Sequence, residues 1–201
     1  MEFDRIYAEV DLGRIEENME AMKEHLRPGT KMYGVVKTDA YGHGAVPVAR
    51  TIDRFVCGYA VATVDEGLKL RRHGIEKEIL SLGPVSAGRY QECLENDISL
   101  PVFEYRRAKE LSDAAAAEGK TAKIHIAVDT GMSRIGLFPD EGSVETVKEI
   151  AELPALRIAG MFTHFARADE ADKTNAGEQY SRFHAFCDAV KAAGVDVPVC
   201  H

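Results

Sequence analysis

Paired cysteines, an excess of basic residues and long apolar runs are all missing from this sequence. The four cysteines, Cys57, Cys93, Cys187 and Cys200, stand far apart with no Cys-x-x-Cys among them. That spacing gives neither a zinc knuckle nor a disulfide scaffold, and the thiols read as reduced core or surface groups. Cys200 adjoins His201, but neighbours on a strand point to opposite faces and make a poor nucleophilic pair. Lys and Arg number 25 against 33 Asp and Glu, a formal net charge of −8. Phosphate binding needs clustered cations, so a nucleic-acid partner is not expected. No stretch approaches the roughly 18 apolar residues of a membrane span. The opening Met-Glu-Phe-Asp-Arg has no basic segment leading into an apolar one, so no signal peptide is read there. These absences predict a soluble cytoplasmic protein without a membrane partner.

At 201 residues and 45% hydrophobic, the chain can bury one substantial core but falls short of the about 250 residues of a complete eightfold α/β barrel. Short β-like runs alternate with helix-length amphipathic stretches, the pattern of a parallel sheet wound with helices. Strands are predicted at 32–37, 58–62, 79–82, 98–102, 122–128, 156–162 and 197–201, seven in all. Helices are predicted near 45–54, 64–73, 86–95, 104–118, 142–152 and 175–193, the last with Tyr180, Phe183, Cys187 and Val190 as its apolar stripe. An earlier helix carries Leu12, Ile15, Met19, Met22 and Leu26 at three- and four-residue intervals and stops at Pro28-Gly29. Before it, Ile6 to Val10 alternates like a half-buried strand, which divides the chain into a strand segment at 1–10 and an α/β barrel domain over 11–201. Alternation within 123–129 puts His125, Ala127 and Asp129 on one face, predicted to point inward, and Ile124, Ile126 and Val128 on the other, predicted to meet helices.

Lys37 closes the apolar run Met32-Tyr33-Gly34-Val35-Val36 and is followed at once by Thr38-Asp39-Ala40-Tyr41-Gly42-His43-Gly44. An amine held there away from water could become the nucleophile that condenses with a carbonyl. The competing reading is a strand-end lysine whose stem packs while its head reaches solvent. Lys37, Arg134 and His164 all fall at or just beyond predicted strand ends, where barrel enzymes assemble their sites. His43 in a glycine loop reads as a turn hydrogen-bonder. A metal hydrolase built on His43, His125, His164 and His201 is a further reading, but no His-x-His or Glu-x-x-His spacing supports a metal site.

The segment Val35 to Gly44 closely resembles the pyridoxal-phosphate lysine motif of alanine racemases. The likeness extends through Val128-Asp129-Thr130-Gly131-Met132-Ser133-Arg134-Ile135-Gly136, through Gly160 to Ala166, and through Ala8-Glu9-Val10-Asp11-Leu12. It covers essentially the whole chain but not the whole family protein. The resemblance implies a (β/α)8 barrel of the TIM type, here incomplete with about seven parallel strands and lacking the family's C-terminal β domain. It implies pyridoxal 5'-phosphate joined to Lys37 as a Schiff base, with the freed lysine taking or returning the Cα proton.

Tyr41 then resembles the phosphate-contacting tyrosine, and Arg134 resembles the arginine that bonds the cofactor's phenolic oxygen and receives the substrate carboxylate, with Met132 beside it. His164 matches the histidine against the ring, and His201 the one that orients a downstream arginine toward the pyridine nitrogen. The sequence departs from the family at Ala127, where many relatives carry a lysine that braces the arginine. The activity implied is interconversion of L- and D-alanine, supplying D-alanine for peptidoglycan, in a homodimer whose partner subunit lends the opposite-face tyrosine. The alternatives are a serine racemase, or a non-catalytic barrel that carries the cofactor. The chain alone is expected to racemise poorly or not at all, and to self-associate through unpaired sheet edges.

Overall fold

The structure, a computed structural model, describes residues 6–201. The chain divides into two compact units, Met1–Ile79 and Leu80–His201. In the first lie α1 (Leu12–Glu24), β1 (Tyr33–Val35), α2 (Lys37–Tyr41), α3 (Ala45–Ile52), β2 (Gly58–Val61) and α4 (Val64–Arg72). The unit boundary falls inside β3 (Glu78–Ser81). The second unit continues with α5 (Tyr90–Glu95), β4 (Ile98–Val102), α6 (Tyr105–Ala117), β5 (Ala122–Val128), α7 (Glu141–Ala151), β6 (Leu156–Thr163) and α8 (Thr174–Ala192). A strand followed by a helix, repeated along the chain, is the α/β pattern predicted from the alternation of runs.

In the first unit β1 runs parallel to β2, with Gly34 opposite Tyr59. Strand β2 is buried along its whole length, as a parallel strand covered on both faces must be. Helix α1 begins where the Asp11 carboxylate accepts the Arg14 N–H, satisfying a helix-end donor. Of its predicted apolar stripe only Met19 is buried, and Met22 is half exposed. Residues 6–10 form no strand in this structure; the rest of the predicted 1–10 segment lies outside the described residues.

In the second unit β4, β5 and β6 pair in parallel, with a register irregularity at Ile124 and His125. Leu80, Ala127 and Phe162 form a buried apolar cluster, against which Leu82 and Phe103 pack. The predicted seventh strand at 197–201 is reduced to one isolated bridge between Met161 and Cys200. Pro198 has no N–H to give to a ladder. Backbone bonding to β6 starts just beyond it, with Met161 N–H donating to Val199 O at 2.8 Å and His201 N–H to Met161 O at 3.0 Å. On α8 the buried side chains are Gln179, Phe183, Phe186 and Val190. Tyr180 is instead exposed, because the helix turns the Gln179 face inward.

Candidate active site

Lys37 stands two residues beyond β1 rather than at its end, and it opens α2. The ladder carries one residue past the strand, since Val36 N–H donates to Ala60 O at 3.0 Å. After Lys37 the backbone changes hand. Thr38, Asp39, Ala40 and Tyr41 all have φ between 53° and 54°, in the left-handed region. Each such residue costs roughly 1 to 2 kcal/mol relative to the right-handed form, so four in succession need support from outside the turn.

Internal bonds supply part of that support: Ala40 N–H reaches Val36 O at 2.9 Å and Gly44 N–H reaches Asp39 O at 2.8 Å. Helix α4 supplies the rest. Glu66 accepts the Thr38 N–H through Oε1 at 2.7 Å and the Ala62 N–H through Oε2 at 2.7 Å. The Asp39 carboxylate accepts the Ala45 N–H at 2.9 Å and the Lys69 ammonium at 2.8 Å. The Ala45 amide and then Lys69 hold the Asp39 carboxyl below its ordinary range.

Lys37 is half-buried and makes no ion pair among the described residues. Its Nζ lies 5.9 Å from the centre of the Tyr41 ring, so the turn brings these two predicted site residues together. Tyr41 is 61% exposed. His43 Nδ1 sits 3.0 Å from Ala40 O, the turn contact expected of it. The turn leaves through Gly42 at φ +86° and Gly44 at φ +90°.

In the second unit the loop after β5 carries Met132 and Arg134. Its base is closed by Leu137, whose N–H donates to Ala127 O while its carbonyl accepts from Asp129 N–H, both at 2.9 Å. The buried Asp129 carboxylate gathers the N–H groups of Gly131 and Ser133, each at 2.9 Å. Met132 is half-buried and Arg134 exposed at the loop's outer turn, with no hydrogen-bond or ion-pair partner for Arg134 among the described residues. Ala127 lies in the apolar cluster with Phe162, so this position serves packing and offers no polar group to the loop. Both faces of β5 are buried, His125 included.

His164 follows directly on the end of β6 and is exposed. His201 stacks on Phe162 with ring centres 5.5 Å apart, and its Nε2 lies 3.0 Å from His125 Nδ1. Cys200 is exposed, and the neighbouring Cys187 thiol of α8 holds its thiol below the usual range. Among the described residues no group of three or more His, Cys, Asp or Glu is placed to hold a metal ion, and no helix is long and apolar enough to cross a membrane.

Several residues of this arrangement were not singled out from the sequence. Gln179, fully buried on α8, donates to Thr130 Oγ1 at 3.3 Å and accepts the Ala166 N–H at 2.9 Å. Thr130 and Thr163 hydroxyls meet at 2.9 Å. These bonds tie the loop bearing Arg134 to the strand end bearing His164. Neither Gln179 nor Glu66 belongs to the motifs or apolar stripes read from the sequence. Each acts on a partner remote in sequence, which no local pattern reveals.

The sequence matches Alanine racemase, N-terminal domain, over residues 10–201. The chain belongs to the alanine racemase family. It is 44% identical to the alanine racemase of Clostridium novyi over 197 residues, 98% of this chain and 51% of that one. The alanine racemase of Methanococcus maripaludis is 41% identical and is spanned over 53% of its length. Among solved structures, an alanine racemase of Clostridium difficile superposes with a TM-score of 0.91 at 36% identity, covering 94% of this chain and 50% of that one. The alanine racemase from Bacillus anthracis with bound L-Ala-P gives a TM-score of 0.87, also at 36% identity, covering 96% of this chain and 50% of that chain. The fold is therefore the N-terminal barrel domain of alanine racemases, and the chain spans about half the length of these relatives.

Proposed function

We propose that this chain is the pyridoxal-phosphate-binding portion of a racemase that interconverts L- and D-alanine. The observation that carries the reading is the Lys37 turn: a half-buried lysine without an ion-pair partner among the described residues, opening a left-handed loop held from α4. An amine, the Tyr41 hydroxyl and the amides around two positive-φ glycines form a donor set suited to an aldehyde and a phosphate. Pyridoxal 5'-phosphate, when bound, supplies the electron sink that makes a substrate Cα–H acidic.

Lys37 would hold the cofactor through its amine and would take or return the proton at the substrate Cα. Tyr41 binds phosphate. Arg134 offers a planar guanidinium to the substrate carboxylate, with Met132 on the same loop. His164 and His201 are assigned to the ring side of the cofactor. Residues 11–201 make up the cofactor-binding domain, and 1–10 form a separate leading segment. The opposite-face acid and the remaining phosphate ligands belong to the half of the relatives that this chain does not span. A homodimer, residence in the cytoplasm and a supply of D-alanine to the cell wall complete the proposal.

The test is reduction with borohydride after incubation with pyridoxal 5'-phosphate, followed by peptide mapping. A pyridoxyl adduct on Lys37, and no yellow colour in Lys37→Ala, is the expected result. Equal colour in the variant overturns the proposal.

A further inference from the structure

Glu66 contributes to two structures at once. With Thr63 it completes a capping box at the start of α4, in which Glu66 N–H donates to Thr63 Oγ1 at 3.3 Å and Thr63 N–H donates to Glu66 Oε2 at 3.4 Å. A capping box needs one carboxylate oxygen. The other, Oε1, reaches 28 residues back in sequence to the Thr38 N–H at 2.7 Å, while Oε2 also takes the Ala62 N–H at 2.7 Å.

The Thr38 N–H belongs to the same rigid peptide plane as the Lys37 carbonyl. Holding that N–H restrains the Lys37–Thr38 peptide plane, and the Ala40 N–H on the Val36 carbonyl restrains the Val36–Lys37 plane, so together they orient the Lys37 Cα from which the side chain leaves. The same carboxylate is anchored at the end of β2, whose Ala60 carbonyl already holds Val36. Lys37 is thus flanked by a bond from β2 on one side and a bond from Glu66 on the other. Nothing within the left-handed turn replaces the second bond.

We propose that Glu66 is a positioning residue for Lys37: its carboxylate clasps the Lys37–Thr38 peptide to the end of β2 and aims the lysine amine for carbonyl condensation. The proposal rests on the reading of Lys37 as the cofactor lysine. Asp39 and Lys69 fasten the far side of the turn but leave this peptide plane alone.

Amide hydrogen exchange on the protein without cofactor tests the clasp independently of that reading. The Thr38 amide is expected to be protected like those of β2, and to lose about ten-fold in protection in Glu66→Gln. With pyridoxal 5'-phosphate added, Glu66→Gln is expected to form the borohydride-trappable adduct about ten-fold more slowly, with the absorbance titration of the adduct shifted. Thr63→Ala removes the other half of the capping box and is the control for a merely structural role: it should lower thermal stability without slowing the adduct.

A Thr38 amide that exchanges as fast as an open loop in the unaltered protein overturns the proposal even if Glu66→Gln fails to fold. So does a folded Glu66→Gln with unchanged adduct kinetics. If the unaltered protein forms no adduct on Lys37, the functional reading fails while the exchange result still decides whether the clasp exists.

Discussion

Gly136 shows how one residue sets the loop that carries Arg134. Its φ is +127°, and a Cβ there would lie 2.5 Å from the Asp129 nitrogen and 2.6 Å from the Val128 carbonyl carbon. Both are backbone atoms at a strand end and cannot swing aside. Gly136→Ala is therefore expected to lose about 2 to 4 kcal/mol through combined strain and clash, measured by urea unfolding. Gly88, with open space where a Cβ would be added, is the control, and Gly88→Ala should stay within about 0.5 kcal/mol. If the two variants unfold at the same urea concentration, the packing at the base of this loop has been misread. The glycine itself was visible in the sequence as part of the Asp129 to Gly136 motif. Its reason was not, because the Leu137 bonds that press it against Val128 depend on how the loop closes.

The left-handed turn is the element where sequence and structure part most. Periodicity and glycine punctuation locate the segment and its lysine, and the strand predicted at 32–37 ends at Val35, two residues before Lys37. Thr, Asp, Ala and Tyr in succession carry no local signal for positive φ, since the conformation is held by the Glu66 carboxylate and the Lys69 ammonium of α4. Its pH dependence follows from Asp39, whose carboxyl is lowered by the Ala45 amide and by Lys69. A carboxyl lowered on folding contributes stability above its unfolded value, near 3.8, and loses that contribution as pH falls through the lower folded value. Amide protection at Gly44 and Ala45, corrected for intrinsic exchange, should be flat from pH 7 to 5 and decline below about pH 4. Asp39→Asn should show no such decline, and a decline of the same size in that variant would remove Asp39 from the account. The other elements were more legible. Helices α3, α4, α6, α7 and α8 fall within two residues of the predicted ranges, whereas α5 starts at Tyr90 and the predicted stripe of α8 is rotated so that Gln179 rather than Tyr180 is buried. The segment at 197–201 shows the limit of that signal: its apolar residues read as a strand, while Pro198 delays the pairing.

At the scale of the molecule, the chain spans about half the length of its relatives, and the proposed racemisation makes a demand that this span need not meet. Inverting Cα requires a proton to leave one face and another to arrive at the opposite face. On the proposed reading Lys37 is the one basic group and serves one face. With pyridoxal 5'-phosphate in deuterated water, the chain alone is therefore expected to exchange the Cα hydrogen of one alanine enantiomer with retention at least ten-fold faster than it produces the other enantiomer. A protein extended to the relatives' full length should bring the two rates to the same order. Chiral chromatography and mass spectrometry read both rates from one reaction. A carrier without catalysis would trap pyridoxal phosphate on Lys37 yet exchange neither enantiomer. Inversion keeping pace with exchange in the short chain would mean that an acid among these 201 residues serves the second face, and the division of labour proposed for Lys37 would have to be abandoned.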